Sequence, residues 1–312
     1  MPLLFSDDSI HDFLLYHSVP TLKVDLSRAA NSAHSTASRY FSKDDMPTIP
    51  NEWSEFNYWD LCKEFSEELQ ATMPPGAHPV SMSPPPTIRV ELAVVDAYVR
   101  VTFPQVRRPM EALNFDVRTD RSSLRDHPTD KVCESKADRQ MVDVDRNMRL
   151  VGEAKLSWNY NSNWCQGQDP AERDTARQVL SQIVFYMSEW DLRHGFITTD
   201  QEFVAVRRVG RNYGDIEISK GIPWTSSGGR GMTVSFAIFM LYLKASHDRI
   251  YKYVHDNDDG NDNDDDGGDE DNDMNDGGDE DIVMNNGGDG NNNGDADYED
   301  GGDKAWKGSD CN

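Results

Sequence analysis

The stretch Leu150-Val151-Gly152-Glu153-Ala154-Lys155-Leu156-Ser157-Trp158 decides how the chain is read. Leu150, Gly152, Ala154 and Leu156 alternate with Val151, Glu153, Lys155 and Ser157, the two-residue period of a β-strand. Side chains at i and i+2 share a face of a strand, so Glu153 and Lys155 project together. The surroundings are apolar, and an inward carboxylate there is costly without a cation or a partner. The alternative is an edge position, with Glu153 and Lys155 paired in solvent. Arg146-Asn147 reads as a turn from a preceding strand, Lys136–Val144, and an aspartate on that strand can join the pair. Two carboxylates near one lysine can hold a hard divalent cation and orient a water beside it, which is the chemistry of phosphodiester hydrolysis.

Two aspartates compete for that place. Asp138 opens the strand and is the first choice; Asp143 lies in the apolar run Met141-Val142-Asp143-Val144. Five residues apart, they face opposite ways on a regular strand, so only one of them can share a site with Glu153. Downstream, Ala171–Arg193 is the longest expected helix. Asp169-Pro170 marks its start and Gly195 follows its end. Val179, Ile183, Tyr186 and Trp190 line its apolar face, and Gln178, Gln182 and Tyr186 fall near one stripe.

An Asp on one strand, Glu153-x-Lys155 on the next and a helix carrying Gln182-x-x-x-Tyr186 together resemble the PD-(D/E)XK nuclease superfamily, in its RecB-type and lambda-exonuclease-type branch. The run from Arg193 through Thr199-Asp200 to Arg207-Arg208, followed by Ile222-Pro223-Trp224-Thr225 and a Gly-led apolar helix, is similar to a group of uncharacterised fungal PD-(D/E)XK-like proteins. The resemblance covers roughly residues 85–250, and Lys136-Ala137-Asp138 stands where the family usually shows Lys-Pro-Asp. It implies a restriction-endonuclease-like core and a Mg²⁺- or Mn²⁺-dependent nuclease acting on DNA. Asp138 and Glu153 would ligate the metal, Lys155 would position the attacking water, and Gln182 would support it. Tyr186 would pack beneath the site or contact the strand. Related folds place a helix ahead of the first core strand, often with an acidic residue reaching the metal, and Glu91 is the candidate. Because the superfamily includes members that have lost catalysis, a non-cutting binder of nucleic acid or protein is the second reading.

Around this centre the chain divides into four expected parts. Residues 1–50 are weakly patterned. Residues 51–86 read as a helical appendage and a Pro-rich linker: Trp53, Phe56, Trp59, Leu61, Phe65 and Leu69 recur near helical spacing over 51–72, then Pro74-Pro75-Gly76 and Pro84-Pro85-Pro86 break the pattern. Residues 87–250 form the core. Ile88–Phe103 is open between strand and helix, Glu111–Thr119 reads as the first core strand, and Gly195–Thr199 and Glu202–Val209 as two later ones. Asp215–Ile218 reads as an edge strand and Met232–His247 as a final apolar helix. Helix, three strands, helix, strands, helix is a mixed α/β order with helices on a central sheet.

The net charge of −25 is concentrated in one part of the chain. Residues 256–312 hold 22 Asp and Glu against two Lys, leaving 34 acids and 29 bases in the first 255 residues. The tail is Asp, Asn and Gly with few apolar residues, so it is expected to be disordered. It reads as a solubilising segment, as a tethered polyanion competing with nucleic acid, or as a binder of basic proteins. In the nearly neutral remainder, the distribution of bases matters. Lys136, Arg139, Arg177, Arg193, His194, Arg207, Arg208 and Arg211 could form a phosphate-contacting rim; such contacts position nucleic acid without reading its sequence. The bland alternative is a set of solvated charges. No zinc finger or helix-turn-helix is present. Cys62, Cys133, Cys165 and Cys311 form no C-x-x-C pair, as expected of thiols in a reducing compartment. The opening residues show no secretory leader pattern, and no apolar run reaches the ~20 residues of a membrane span. The expected location is nuclear or cytoplasmic.

Overall fold

The computed structural model describes residues 6, 8–16, 23–24, 43–46, 49–76, 87–88, 91–115, 118–120, 137–142, 147–209, 213–227 and 231–248. Lys136, Asp143, Arg211, Cys133, Cys311 and the tail 256–312 lie outside them; Arg139 is described as a strand position only. The elements are α1 (Ile10–Tyr16), β1 (Lys23–Val24), β2 (Asn51–Glu52), α2 (Tyr58–Glu64), α3 (Ser66–Gln70), β3 (Thr87–Ile88), α4 (Glu91–Ala97), α5 (Phe103–Ala112), β4 (Arg118–Asp120), β5 (Arg139–Val142), β6 (Met148–Ala154), α6 (Pro170–Glu189), β7 (His194–Thr198), β8 (Glu202–Arg208), β9 (Ile216–Ile218), β10 (Ile222–Pro223) and α7 (Val234–His247). From α4 onward the succession is helix, three strands, helix, strands, helix.

One mixed sheet runs β2-β9-β8-β7-β6-β5-β4, with β10 paired beside β8. β6 and β7 are parallel, joined by α6 as the crossover, while β5–β6, β7–β8 and β8–β9 are antiparallel. The alternation read in β6 sorts its side chains between two cores. Leu150 and Ala154 join Phe196, Phe203 and the apolar faces of α1, α5 and α7. Val151 joins Val179, Ile183, Ile197 and Val204 beneath α6. Helices therefore cover both faces of the sheet. Gly152 is required by its neighbour, because a Cβ there would lie 2.1 Å from the Phe196 ring. That ring in turn stacks on Tyr98 and Phe203.

Local chemistry sets the helix ends. Asp169 caps α6 through Ala171 N, with Pro170 at the first position, and Thr233 caps α7 through Phe236 N. Ile88–Phe103, open between strand and helix, is helical from Glu91. Pro104 has no N–H for the carbonyl four residues back, and the backbone over Tyr98–Thr102 widens into a π turn that Phe103 N closes onto Tyr98 O. The helix then continues to Ala112, so Glu111–Thr119 is not a strand; only Arg118–Asp120 pairs, with β5. Ala93, Val95 and Ala97 alternate within α4 itself, and the π turn shifts the period only for Val99, Val101 and Phe103.

Two more expectations are corrected. Residues 51–72 are not one helix: Asn51-Glu52 pairs in parallel with β9, and the helical stretch divides at Phe65. Trp53, Phe56, Leu61, Phe65 and Leu69 lie in the same buried cluster as α7. Asp215–Ile218, expected at the edge, is interior because β2 covers its free side. Cys62 and Cys165 are buried free thiols, and among the described residues no helix is long and apolar enough to cross a membrane.

Candidate active site

β5 and β6 pair so that Arg139 lies opposite Gly152. One residue further on, Asp138 comes to lie beside Glu153, and its Oδ2 accepts a hydrogen bond of 3.0 Å from Ala154 N. Glu153 and Lys155 share the α6 face, as the two-residue period requires. Lys155 Nζ is 2.5 Å from Glu153 Oε1. The same oxygen accepts 2.7 Å from Gln182 Nε2 on α6, and Gln182 Nε2 lies 3.1 Å from the Tyr186 hydroxyl one turn on. Asp138, Glu153, Lys155 and Gln182, each singled out from sequence, are thus brought together.

The centre of the cluster is buried, while Asp138 and Glu91 are half-buried. Glu153 is 3 % exposed, Lys155 5 % and Gln182 8 %. Three buried oxygens have no hydrogen-bond partner: Glu153 Oε2, Gln182 Oε1 and Asn159 Oδ1. Asn159 was not anticipated. It sits in the turn after β6, and its Nδ2 donates 3.3 Å to Glu91 Oε1 at the start of α4. Glu91, the third acid, is close enough to act electrostatically on both Glu153 and Lys155.

Three carboxylates therefore surround one ammonium. Burial pushes Glu153 up to about 8; Asp138 and Glu91 push the same way, and the Lys155 ammonium opposes them. Burial alone would lower Lys155, but the carboxylates of Glu153, Glu91 and Asp138 outweigh it and its pKa is raised. Both groups hold protons more tightly, Glu153 chiefly because it is buried and Lys155 because carboxylates surround it. The donors fit a hard cation by their chemistry: carboxylate and amide oxygens, one of them a carboxylate oxygen buried without a partner. Among the described residues, no group of three or more His, Cys, Asp or Glu side chains is arranged to hold a metal ion.

Of the basic residues expected at a rim, those that are described lie away from the cluster, while Lys136, Arg211 and the Arg139 side chain lie outside the described residues. Glu153 pairs with Ile197, and Ile197 with Val204; Arg207 lies three residues further along, about 10 Å. Its guanidinium binds Glu217 at 2.6 Å and Glu55 at 3.3 Å and lies 4.6 Å over the Trp53 ring. Arg208 is buried, with Nη1 at 3.4 Å from the carbonyls of Met187 and Leu192 at the end of α6. Arg193 and His194 meet Asp248. Arg177 binds Met46 O, and Gln178 accepts from Lys43 N, so both anchor the 43–46 segment and not the site. In comparisons with known proteins, no family model, no curated protein and no solved structure matches the chain.

Proposed function

We propose that the chain is a metal-dependent nuclease of the PD-(D/E)XK type, with a restriction-endonuclease-like core, that hydrolyses phosphodiester bonds in DNA. The observation that carries this reading is the convergence of Asp138, Glu153, Lys155 and Gln182 at the end of β5 and β6 beneath α6, with Glu153 Oε2 buried and unpartnered. Asp138 and Glu153 are the residues that would hold Mg²⁺ or Mn²⁺. Such an ion supplies Lewis-acid neutralisation of the scissile phosphate and makes a bound water acidic. Gln182 and Lys155 both take Glu153 Oε1 and so leave Oε2 to a ligand, and Tyr186 keeps the Gln182 amide in that orientation. Lys155 offers a compact cation to the attacking water or to the phosphate, the role for which a lysine suits better than an arginine.

A second reading has its own observation. Glu153 and Lys155 pair with each other through Oε1 and are both almost fully buried, as expected of a relative that binds nucleic acid or protein without cutting. One experiment separates the two. Full-length protein is incubated with single- and double-stranded DNA and Mg²⁺ or Mn²⁺, beside Glu153→Ala and Lys155→Ala, and each is melted with and without the metal. Cleavage by the parent that both variants lose, with a metal-induced rise in Tm that Glu153→Ala loses, supports the nuclease. A folded parent that neither cleaves nor responds to metal overturns it in favour of the binder.

A further inference from the structure

Lys155 lies one residue beyond the end of β6, where a chain leaving a sheet is free to fray. Here it is not free. Lys155 N donates 2.9 Å to Thr198 O, extending the β6–β7 register by a residue. Two residues later Ser157 is gripped by Asp200, whose Oδ1 accepts 2.6 Å from Ser157 N and whose Oδ2 accepts 2.8 Å from Ser157 Oγ. Asp200 is buried. A carboxylate removed from water is costly unless hydrogen-bonded, and both oxygens of this one are committed to a single residue of the loop that carries Lys155.

The turn bearing Asp200 is itself braced. Thr199 Oγ1 accepts from Gln201 N and Glu202 N, Trp224 Nε1 donates 2.7 Å to Thr199 O, and Trp224 N donates 3.1 Å to Gln201 O. Glu202, at the far side of the turn, accepts from Ser162 N at 2.7 Å and Ser162 Oγ at 3.0 Å. Two acids on one turn therefore hold both ends of the loop 157–162, and Asn159, with its bond to Glu91, lies between them. The Thr199-Asp200 and Ile222-Pro223-Trp224 elements that stood out in the sequence without a task meet in this one assembly.

We infer that Asp200 is a positioning residue: braced by Thr199 and Trp224, it fixes the backbone after β6 so that the Lys155 ammonium meets Glu153. This deepens the nuclease reading and takes its catalytic meaning from it, but the clamp can be read without any cleavage. The test uses the full chain with Asp200→Ala, Asp200→Asn and Ser157→Ala. The acetylation rate of Lys155 is followed by mass spectrometry across pH, with exposed Lys63 and Lys220 as internal references and cooperative thermal unfolding as the check on folding. Asparagine can still accept from Ser157 N and can donate to Ser157 Oγ, so it preserves the grip.

The expected result is that Asp200→Ala raises Lys155 acetylation about tenfold, the factor that corresponds to losing a hydrogen bond to a charged group. The reference lysines stay unchanged, and Asp200→Asn returns Lys155 towards the parental rate. Where the parent cleaves DNA, kcat falls in Asp200→Ala with KM held. A folded Asp200→Ala with the parental Lys155 rate overturns the clamp. Should that variant not fold, Ser157→Ala, which deletes only the hydroxyl bond, decides in the same way: a severalfold rise supports the clamp and an unchanged rate overturns it. A parent that does not cut, together with a faster Lys155 in the variant, removes the nuclease reading and leaves the clamp standing.

Discussion

At one end of strands β6–β8, three carboxylates share a single ammonium, and oxygens of Glu153, Gln182 and Asn159 are buried without partners. At the other end, Arg207 lies between Glu217, Glu55 and the Trp53 ring, and Arg208 is held by the carbonyls that close α6. His194 stacks on Trp53, kept neutral by burial and by the cations of Arg193, Lys244 and Arg207, which lower its pKa to about 3. Both ends bury charge, and both bury polar atoms without partners, Trp53 Nε1 among them at the second. The first is unbalanced in sign, with three carboxylates to one ammonium and two shifted groups, the pattern of a candidate binding site. The adjacent arginines of β8, conspicuous in the sequence, belong to the second end, where cations meet acids, a ring and carbonyls.

The sharpest way to break this contrast is catalytic. Removing the lysine or the acid of the unbalanced end, in Lys155→Ala or Glu153→Ala, should lower the rate of DNA cleavage by about 10²–10⁴-fold, the range of a positioned proton-transfer or charge-stabilising group. A cleaving parent whose variants keep their rate would move the chemistry elsewhere in the molecule.

Stability should respond the other way round. Arg208→Met removes the side-chain donor from Leu192 O and from Met187 O, which keeps Leu192 N, and should cost about 2–3 kcal/mol in denaturant unfolding. Glu153→Gln, which keeps the shape of a carboxyl that burial holds protonated up to about pH 8, should cost less than about 0.5 kcal/mol or stabilise. Equal losses at both ends would erase the distinction between charge that builds the fold and charge the fold tolerates.

pH then separates the ends by sign. Glu153 holds its proton in the folded chain up to about pH 8, against an ordinary value of 4.5. Between these values the folded state binds more protons than the unfolded, so its contribution is present at low pH and is lost as pH rises through about 8. His194 is the reverse: its value falls from 6.5 to about 3, so the unfolded chain binds more protons there and stability falls as pH drops below 6.5. Melting curves should show Glu153→Gln gaining on the parent from pH 5 to 8, and His194→Gln losing least, relative to parent, towards pH 4. The smallest effect is the Arg207–Glu217 contact, part-buried on both sides. A double-mutant cycle should return a coupling of about 0.5–1 kcal/mol, and a near-zero coupling would show that Trp53, not Glu217, holds the guanidinium.

What was legible in the sequence follows from which interactions are local. β6, α6 and α7 announced themselves through period and caps, and the i, i+2 rule alone set Glu153 beside Lys155. The register that carries Asp138 to Glu153 needed only one turn between neighbouring strands. Reading failed where a partner arrives from far along the chain. Nothing near Arg208 in sequence says that its acceptors are the carbonyls of Met187 and Leu192, and Gln178 shares a stripe with Gln182 yet serves Lys43. Asn159 and Asp200 sit in polar loops where helical and strand periods carry no information. Past Ala97 the π turn hid the helix by the same logic, since a single extra residue dephases the pattern on which the reading depends.

One of the two-residue strands has a long reach. β2 is two residues near the start of the chain, and it pairs with β9, more than 160 positions later; Thr233 Oγ1 likewise closes onto Leu14 O. Early and late segments are thus stitched into one sheet and one core. A growing polypeptide cannot complete this unit until β9 and α7 have been made, and until then α1 to α3 keep their apolar faces uncovered. A truncation that drops the first 86 residues should therefore yield an aggregating fragment and not a folded core.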